Sequence, residues 1–172
     1  MISAYVDSEA LGHVLAALTP GNALACRVSL ATGLRIGDVL RLQSAQLQRQ
    51  RFTIREEKTG KSRRVHLPKE LWREMRAQAG DTWVFPGRDP RKHRTRQAVW
   101  ADVKRARKAF RIRANLSPHS MRKIAAVEEF KRTGDLEKVR LYLNHDNSSV
   151  TMIYALADVL ASQTPKKKKK PP

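Results

Sequence analysis

The sequence feature that most constrains the fold is a change of hydrophobic period about one third of the way along the chain. Phe52 and Ile54 alternate with polar or basic residues, and Val65 and Leu67 do the same further on. This period of two is typical of β-strands, whereas apolar residues elsewhere recur every three or four positions, as in helices. Gly60 lies between the two segments and permits a tight turn. We therefore expect one β-hairpin, with an apolar and a basic face, in an otherwise helical chain.

Outside this hairpin, the apolar pattern predicts helices separated by glycine and proline residues. Pro20, Gly33 and Gly134 interrupt the pattern, and Ser8 and Ser117 are placed to cap the helices that follow them. The predicted helices cover residues 9–18, 22–31, 36–42, 69–79, 95–111, 118–132, about 136–143 and about 148–161. The expected fold class is therefore mainly α with a small antiparallel β-sheet, an α+β domain.

The charge of the chain is high and unevenly distributed. Thirty-five Lys and Arg residues stand against 16 Asp and Glu residues, which gives a formal net charge of +19. Eleven basic and two acidic residues fall between positions 88 and 113, and we call this segment the basic belt. Such a concentration of cations inside a folded domain indicates a polyanionic partner, with nucleic acid as the first candidate. A solvated basic surface without a partner is the alternative.

Several classes of protein are excluded by what the sequence lacks. Cys26 is the only cysteine, so an internal disulfide is impossible and a reducing compartment is expected. No apolar run approaches the roughly 18–20 residues that span a bilayer, and the first residues do not resemble a signal peptide, so we expect a cytoplasmic protein without a membrane partner. Metal-binding and nucleotide-binding motifs are missing, so no metal and no cofactor are expected. Residues 164–172, which include a run of lysines, are expected to form a disordered basic tail.

Arg35 has an unusual position for a surface arginine. It lies between Gly33 and Gly37, at the start of a predicted apolar helix in the segment TGLRIGDVL. Its guanidinium can point into the protein there, with Asp38 close enough to orient it. The alternative is a solvent-facing arginine that pairs with Asp38.

Two further segments contain side chains suited to phosphate chemistry. His119 and Arg122 are three positions apart at the start of a predicted helix, so both face one side near its N-terminus. Histidine exchanges a proton near neutral pH, and arginine binds two phosphate oxygens at once. His145 is in a polar turn, and Tyr154 is at the edge of the apolar stripe of the last predicted helix. Each feature alone is also compatible with an ordinary surface or core-edge residue.

Taken together and in this order, four segments resemble the catalytic domain of the tyrosine recombinases, also called the phage integrase family. The segments are ATGLRIGDVLRL, EEKTGKSRRVHLP, SPHSMRK and LNHDNSSVTMIY, and the resemblance extends over residues 8–160. They are similar to the family's first-arginine box, hairpin-lysine segment, His-x-x-Arg box and histidine–tyrosine box. Asn144 replaces the usual glycine before the third-box histidine, and Lys123 replaces a common histidine.

The resemblance implies a DNA strand transferase that needs no ATP, metal or cofactor. In the implied reaction Tyr154 attacks the scissile phosphate, which gives a 3′-phosphotyrosyl intermediate, and a 5′-hydroxyl then rejoins the strand. His119 is the candidate base for the tyrosine, and Lys58 is the candidate acid for the leaving oxygen. The implied catalytic set is Arg35, Lys58, His119, Arg122, His145 and Tyr154.

The resemblance also implies how the chain is organised and what it binds. Residues 1–163 are expected to form the catalytic domain, without the N-terminal core-binding domain that family members usually carry. The expected partner is double-stranded DNA in a bacterial or phage setting, with a homotetramer on the DNA by analogy. The residues expected to follow the DNA backbone lie on the outward face of the hairpin and in the basic belt: Arg51, Arg55, Arg63, Arg64, Arg91, Lys92, Arg94, Arg96, Lys104, Arg107, Lys108 and Arg111.

Three alternatives remain open from the sequence. A recombinase remnant would bind DNA without cutting it, although the catalytic set is complete. A type IB topoisomerase would relax supercoiled DNA without exchanging partners. An RNA-binding protein is disfavoured because aromatic residues make up only 6% of the chain and ribonucleoprotein motifs are missing.

Overall fold

The computed structural model of the protein describes residues 8–112 and 115–145. In chain order the elements are α1 (Ser8–Ala17), α2 (Pro20–Thr32), α3 (Ile36–Leu40), a 3-10 turn (Ser44–Gln48), β1 (Arg51–Arg55), β2 (Ser62–His66), α4 (Lys69–Gln78), α5 (Arg96–Ala109), α6 (Pro118–Thr133) and α7 (Leu136–Tyr142). The predicted α+β fold class is confirmed, and the helix ends among the described residues differ from the predicted ones by at most two residues. The predicted helix from Ser148 and the tail at 164–172 lie outside the described residues.

The chain divides into two compact units, residues 1–125 and residues 126–172. In the first unit, side chains from α2, the hairpin, α4 and α5 share one apolar core, which includes Val28, Val39, Met75, Phe85 and Val103. Within the described part of the second unit, α6 ends near Gly134 and α7 follows directly. No helix among the described residues is long and apolar enough to cross a membrane.

The hairpin forms as the alternation predicts. Its strands β1 and β2 are antiparallel, with Phe52 opposite Val65 and Ile54 opposite Arg63. Gly60 takes a positive φ of 65° in the connecting turn, a conformation that residues with a Cβ seldom adopt. Because Ile54 and Val65 are buried, this face of the hairpin contacts the core.

The prediction that Arg63 lies on the outward face of the hairpin is wrong. A period of two puts Arg63 on the same face as Val65, and the structure places it opposite Ile54 on that inward face. Its side chain is only 11% exposed, donates a hydrogen bond to the carbonyl of Thr32, and lies 3.6 Å from a carboxylate oxygen of Glu56. Alternation along the strand, and not charge, decides which face Arg63 occupies.

A buried carboxylate joins α5 to the start of α2. Asp102 on α5 accepts hydrogen bonds from the backbone N–H of Thr19 at 2.8 Å and from its hydroxyl at 3.0 Å. The side-chain amide of Asn22 donates to the same oxygen at 2.8 Å, and Arg105 donates to the other oxygen at 2.6 Å. The first N–H groups of a helix lack intrahelical acceptors, so this carboxylate satisfies donors at the α2 N-terminus and fixes α5 against it.

Candidate active site

A cavity of about 480 Å³ opens in the first compact unit. It is lined by residues from the start of α3, the hairpin turn, the start of α5 and the start of α6: Arg35, Ile36, Gly37, Asp38, Glu57, Lys58, Arg96, His119 and Arg122. Four of the six residues of the implied catalytic set therefore lie around one cavity. Among residues 8–112 and 115–145, no cluster of three His, Cys, Asp or Glu side chains is arranged to hold a metal ion.

Arg35 reaches the cavity because α2 ends abruptly. Gly33 takes a left-handed φ of 64° after the last turn of α2, and its N–H donates to the carbonyl of Ser29 at 2.8 Å. The hydroxyl of Ser29 holds the next residue by donating to the carbonyl of Leu34 at 2.7 Å. Arg35 then takes the extended position before the first residue of α3. This turn exposes the side chain of Arg35 to the cavity while Leu34 is buried in the core.

The carboxylate that holds Arg35 is Glu56, and not Asp38 as the sequence indicated. Nη1 of Arg35 donates to Oε2 of Glu56 at 2.7 Å, and the Glu56 side chain has no exposed surface. Burial alone would raise the pKa of Glu56, but the hydrogen bond and charge of Arg35, with a hydrogen bond from Thr59, hold that pKa below its ordinary value. Glu56 is therefore ionised at neutral pH.

Asp38 instead ties the α3 segment to the hairpin turn. Its Oδ1 accepts the backbone N–H of Glu57 at 2.9 Å. Burial raises the pKa of Asp38 above its ordinary value, opposed by that hydrogen bond and raised further by the charge of Glu56. Its other oxygen, Oδ2, is buried and has no hydrogen-bond donor among the described residues.

Lys58 occupies a compact turn at the end of the hairpin. The N–H of Glu56 donates to the carbonyl of Lys61 at 2.9 Å, and the N–H of Gly60 donates to the carbonyl of Glu56 at 2.8 Å. These bonds close the turn around Lys58 and Thr59. Lys58 itself is exposed and lines the cavity.

The start of α6 supplies the other two cavity residues. Arg122 is only 1% exposed, and its Nη1 donates to the carbonyl of Gly33 at 2.6 Å. Burial, followed by the positive charge of Arg35, lowers the pKa of Arg122 to about 10, so it stays cationic at neutral pH. Loss of hydration, followed by the positive charge of Lys123, lowers the pKa of His119 below its ordinary value, so its imidazole is neutral at pH 7.

The lining residues of this cavity do not include the last two members of the implied set, which follow residue 125 and so belong to the second compact unit. His145 belongs to the second compact unit and follows α7, where its N–H donates to the carbonyl of Arg140 at 3.1 Å. Nη1 of Arg140 donates to the carbonyl of His145 at 2.8 Å. Asn144 has a positive φ of 52°, a left-handed conformation that asparagine tolerates better than most residues with a Cβ. Tyr154 lies outside the described residues.

The basic belt and hairpin divide into exposed cations and cations engaged within the protein. Arg94 donates to the side chain of Asn22 at 2.8 Å, and Arg107 donates to Asn115 at 3.2 Å. Arg91 is exposed but pairs with Asp89 at 3.0 Å. The remaining residues of the expected DNA-binding set, apart from Arg63, are exposed: Arg51, Arg55, Arg64, Lys92, Arg96, Lys104, Lys108 and Arg111.

Sequence reasoning missed Glu56, although the pattern contained a signal for it. Phe52, Ile54 and Glu56 are two positions apart, so all three belong to the apolar face of the hairpin. A carboxylate on an apolar face needs a cationic or hydrogen-bonding partner. Arg96 was expected in the basic belt only, and the structure additionally places it on the cavity wall.

Comparisons with known proteins agree with this fold. Residues 7–159 match the model of the phage integrase family. The chain is 34% identical over 135 residues to the tyrosine recombinase XerD of Rhizobium meliloti, covering 72% of this chain and 43% of that protein. The chain thus spans less than half the length of this relative.

Solved structures of integrases share the fold at lower sequence identity. A lambda integrase dimer bound to a core site superimposes with a TM-score of 0.79 at 18% identity, over 99% of this chain and 52% of that one. The catalytic domain of bacteriophage HP1 integrase superimposes with a TM-score of 0.69 at 19% identity, over 99% of this chain and all of that one. By its family match and its recombinase relatives, the chain belongs to the phage integrase family, the tyrosine recombinases.

Proposed function

We propose that the protein cleaves and rejoins double-stranded DNA through a 3′-phosphotyrosyl intermediate, with Tyr154 as the nucleophile. The observation that carries this proposal is the cavity shared by Arg35, Lys58, His119 and Arg122. Two guanidinium groups, an ammonium and a neutral imidazole around one opening suit a phosphodiester. Membership of the phage integrase family supplies the reaction class.

The two arginines stabilise the charge that develops on the phosphate. Attack on a phosphodiester builds negative charge on its non-bridging oxygens, and fixed cations in a partly desolvated cavity stabilise that charge strongly. Arg122 is held by the carbonyl of Gly33 and Arg35 by Glu56. Both therefore need little reorganisation when the phosphate enters.

His119 and Lys58 handle the protons of the two reacting oxygens. The Tyr154 oxygen bonds to phosphorus as its phenolic proton passes to neutral His119, and the bond to the 5′-oxygen breaks as Lys58 protonates it. The reverse transfers rejoin the strand, so the phosphate bond energy is kept and ATP is not needed. His145 completes the set as a further donor to the phosphate.

Exposed cations beside the cavity support a DNA partner. Arg96 lines the cavity itself, and Lys104 and Lys108 follow it along α5 at helical spacing. Such residues bind phosphates without reading sequence and make affinity fall with salt. Among relatives of similar fold, lambda integrase was solved as a dimer on a core site. We extend this to a homotetramer on two DNA sites.

A covalent-trapping assay on randomised DNA tests the proposal and selects the target sequence at the same time. In a pool of nicked duplexes with a randomised core, the short 5′-hydroxyl fragment diffuses away after cleavage, so the protein stays attached to the 3′ end. We expect a denaturant-resistant protein–DNA product, whose DNA can be sequenced to define the site. Tyr154→Phe is expected to abolish the product, while Tyr142→Phe retains it.

Two outcomes would contradict the proposal. A covalent product that persists in Tyr154→Phe and disappears in Tyr142→Phe would overturn the nucleophile assignment. Salt-sensitive DNA binding with no covalent product from the whole pool would indicate a binding module instead of an enzyme.

A further inference from the structure

Glu56 is a buried carboxylate that takes no part in the proton transfers proposed above. Its side chain has no exposed surface and does not line the cavity, so it cannot contact DNA there. A buried charge is costly unless it is paired, and charged groups retained inside a protein therefore call for a reason.

We propose that Glu56 is a positioning residue that fixes the Arg35 guanidinium and the Lys58 turn relative to each other. This inference rests on the proposed function, because it assigns Glu56 to the geometry of that cleavage reaction. Arg35 and Lys58 come from different elements, 23 positions apart in the chain.

The hydrogen bonds of Glu56 join the two elements directly. Its Oε2 accepts from Nη1 of Arg35 at 2.7 Å and from the hydroxyl of Thr59, the residue after Lys58, at 3.0 Å. Its backbone N–H and carbonyl bond to Lys61 and Gly60 at 2.9 and 2.8 Å and close the same turn. Glu56 therefore holds Arg35 with its side chain, and it holds the turn that contains Lys58 with both its backbone and its side chain.

Charge balance gives Glu56 a second role in the same geometry. Arg35, Arg63 and Arg122 are close enough that each of the first two lowers the pKa of Arg122, while Glu56 raises it. Glu56 also lies 3.6 Å from Arg63. Without the Glu56 carboxylate, the three guanidinium groups would repel one another. Asp38, which also raises the pKa of Arg122, would then be the remaining carboxylate that stabilises the charged form of Arg122.

The test measures single-turnover cleavage at saturating DNA, with a duplex selected by the trapping assay. Glu56→Gln keeps the shape and an acceptor oxygen but removes the charge, and we expect cleavage about 10- to 100-fold slower with DNA affinity changed less than about threefold. Glu56→Ala is expected to be slower still and to melt at a lower temperature, so Glu56→Gln is the deciding variant. Glu74→Gln, which removes the carboxylate charge from the exposed Arg27–Glu74 pair at 2.5 Å, is the matched control and should cleave as wild type.

A double-mutant cycle separates positioning from a general loss of stability. If Glu56 acts through Arg35, adding Glu56→Gln to the Arg35→Lys variant should slow cleavage by less than about threefold relative to Arg35→Lys alone. An equal defect in both backgrounds, or wild-type cleavage by Glu56→Gln, would overturn the proposal.

A measurement on the free protein keeps this proposal distinct from the proposed function. The side-chain N–H signals of Arg35 in nitrogen-15 NMR spectra are identified as those that disappear in Arg35→Lys. They should be sharp in the wild type and broadened in Glu56→Gln. A wild-type protein that never forms covalent product would overturn the proposed function, and unchanged Arg35 signals in Glu56→Gln would overturn the role of Glu56.

Discussion

Asp102 and Glu56 are both buried carboxylates in a strongly basic chain, yet their partners differ in kind. Asp102 binds the first N–H groups of α2, an amide side chain and the exposed Arg105. Glu56 binds Arg35, which lines the cavity, and lies beside Arg63, which is held inside the protein. In both, burial raises the pKa but hydrogen bonds, joined at Glu56 by the charge of Arg35, hold it below the ordinary value.

The difference shows that burial and ionisation alone do not distinguish a structural acid from a functional one. The donors around Asp102 belong to the framework and do not line the cavity. The Arg35 donor at Glu56 lines the cavity, so Glu56 is in direct contact with a group that we expect to bind phosphate. The identity of the partner therefore assigns the role.

The largest expected effect is on stability, from Asp102→Ala. The change leaves the N–H of Thr19 and the amide of Asn22 without their acceptor and frees Arg105. We expect the free energy of unfolding to fall by about 3 kcal/mol, measured by urea denaturation monitored by circular dichroism. Asp89→Ala, which removes the exposed loop partner of Arg91, should leave the denaturation midpoint unchanged.

The same variant tests whether Asp102 is only structural. At a temperature where Asp102→Ala remains folded, its cleavage rate at saturating DNA should equal that of wild type. A folded Asp102→Ala protein that cleaves as slowly as Glu56→Gln would remove the contrast between the two carboxylates.

The largest expected effect on cleavage is from Arg35→Ala. Loss of one preorganised donor to a developing oxyanion typically slows catalysis about 100- to 1000-fold. We expect a defect of that size in single-turnover cleavage, measured at a temperature where the variant is folded, because Arg35→Ala also leaves the buried Glu56 carboxylate without its hydrogen-bonded arginine. Arg27→Ala, which breaks the exposed arginine–carboxylate pair with Glu74, is the control. A defect below about tenfold in Arg35→Ala would mean that the main role of Arg35 is to neutralise the buried Glu56 carboxylate, and not to bind the phosphate.

Much of the fold followed from local patterns in the sequence. The amphipathic spacing of Val99, Val103 and Ala106 predicts α5, and Thr95 caps it by accepting the N–H of Ala98 at 3.1 Å. The hairpin followed from alternation and from Gly60. Contacts between distant segments were not predictable in this way, since the carboxylate of Asp102 meets Thr19 across 83 positions.

The site was predictable to a smaller extent. Spacing on one helix brings His119 and Arg122 to the same side, but only the resemblance to recombinases indicated that Arg35 and Lys58 lie with them. Nearness in sequence favours Asp38 as the partner of Arg35. The structure selects Glu56, 21 positions away, because the hairpin turn packs against the start of α3.

The charges that act on His119 in the cavity are cationic, and the pKa of His119 responds to them. Desolvation, then the charges of Lys123, Arg122, Arg35 and Lys58, lowers its pKa. We expect the imidazole in the free protein to titrate below its ordinary pKa of about 6.5 by NMR, and Lys123→Gln to move the titration upward. Lys131→Gln on the same helix, where Lys131 pairs with Glu128, should leave it unchanged. A His119 pKa above the ordinary value would mean that the nearby carboxylates outweigh the cations in their effect on the imidazole.

The smallest expected effect is that of Asp38→Asn on stability. Asp38 has a raised pKa, so the folded state holds its proton to higher pH than the unfolded state does, and wild-type stability falls as pH rises through that pKa. Asparagine keeps an acceptor for the N–H of Glu57 and carries no charge. We expect Asp38→Asn to be as stable as wild type or more stable by up to about 1 kcal/mol at pH 7.5, with the difference shrinking toward pH 4 in urea denaturation curves. A loss of stability at pH 7.5 would place Asp38 with Asp102, as an acid whose ionised form stabilises the fold.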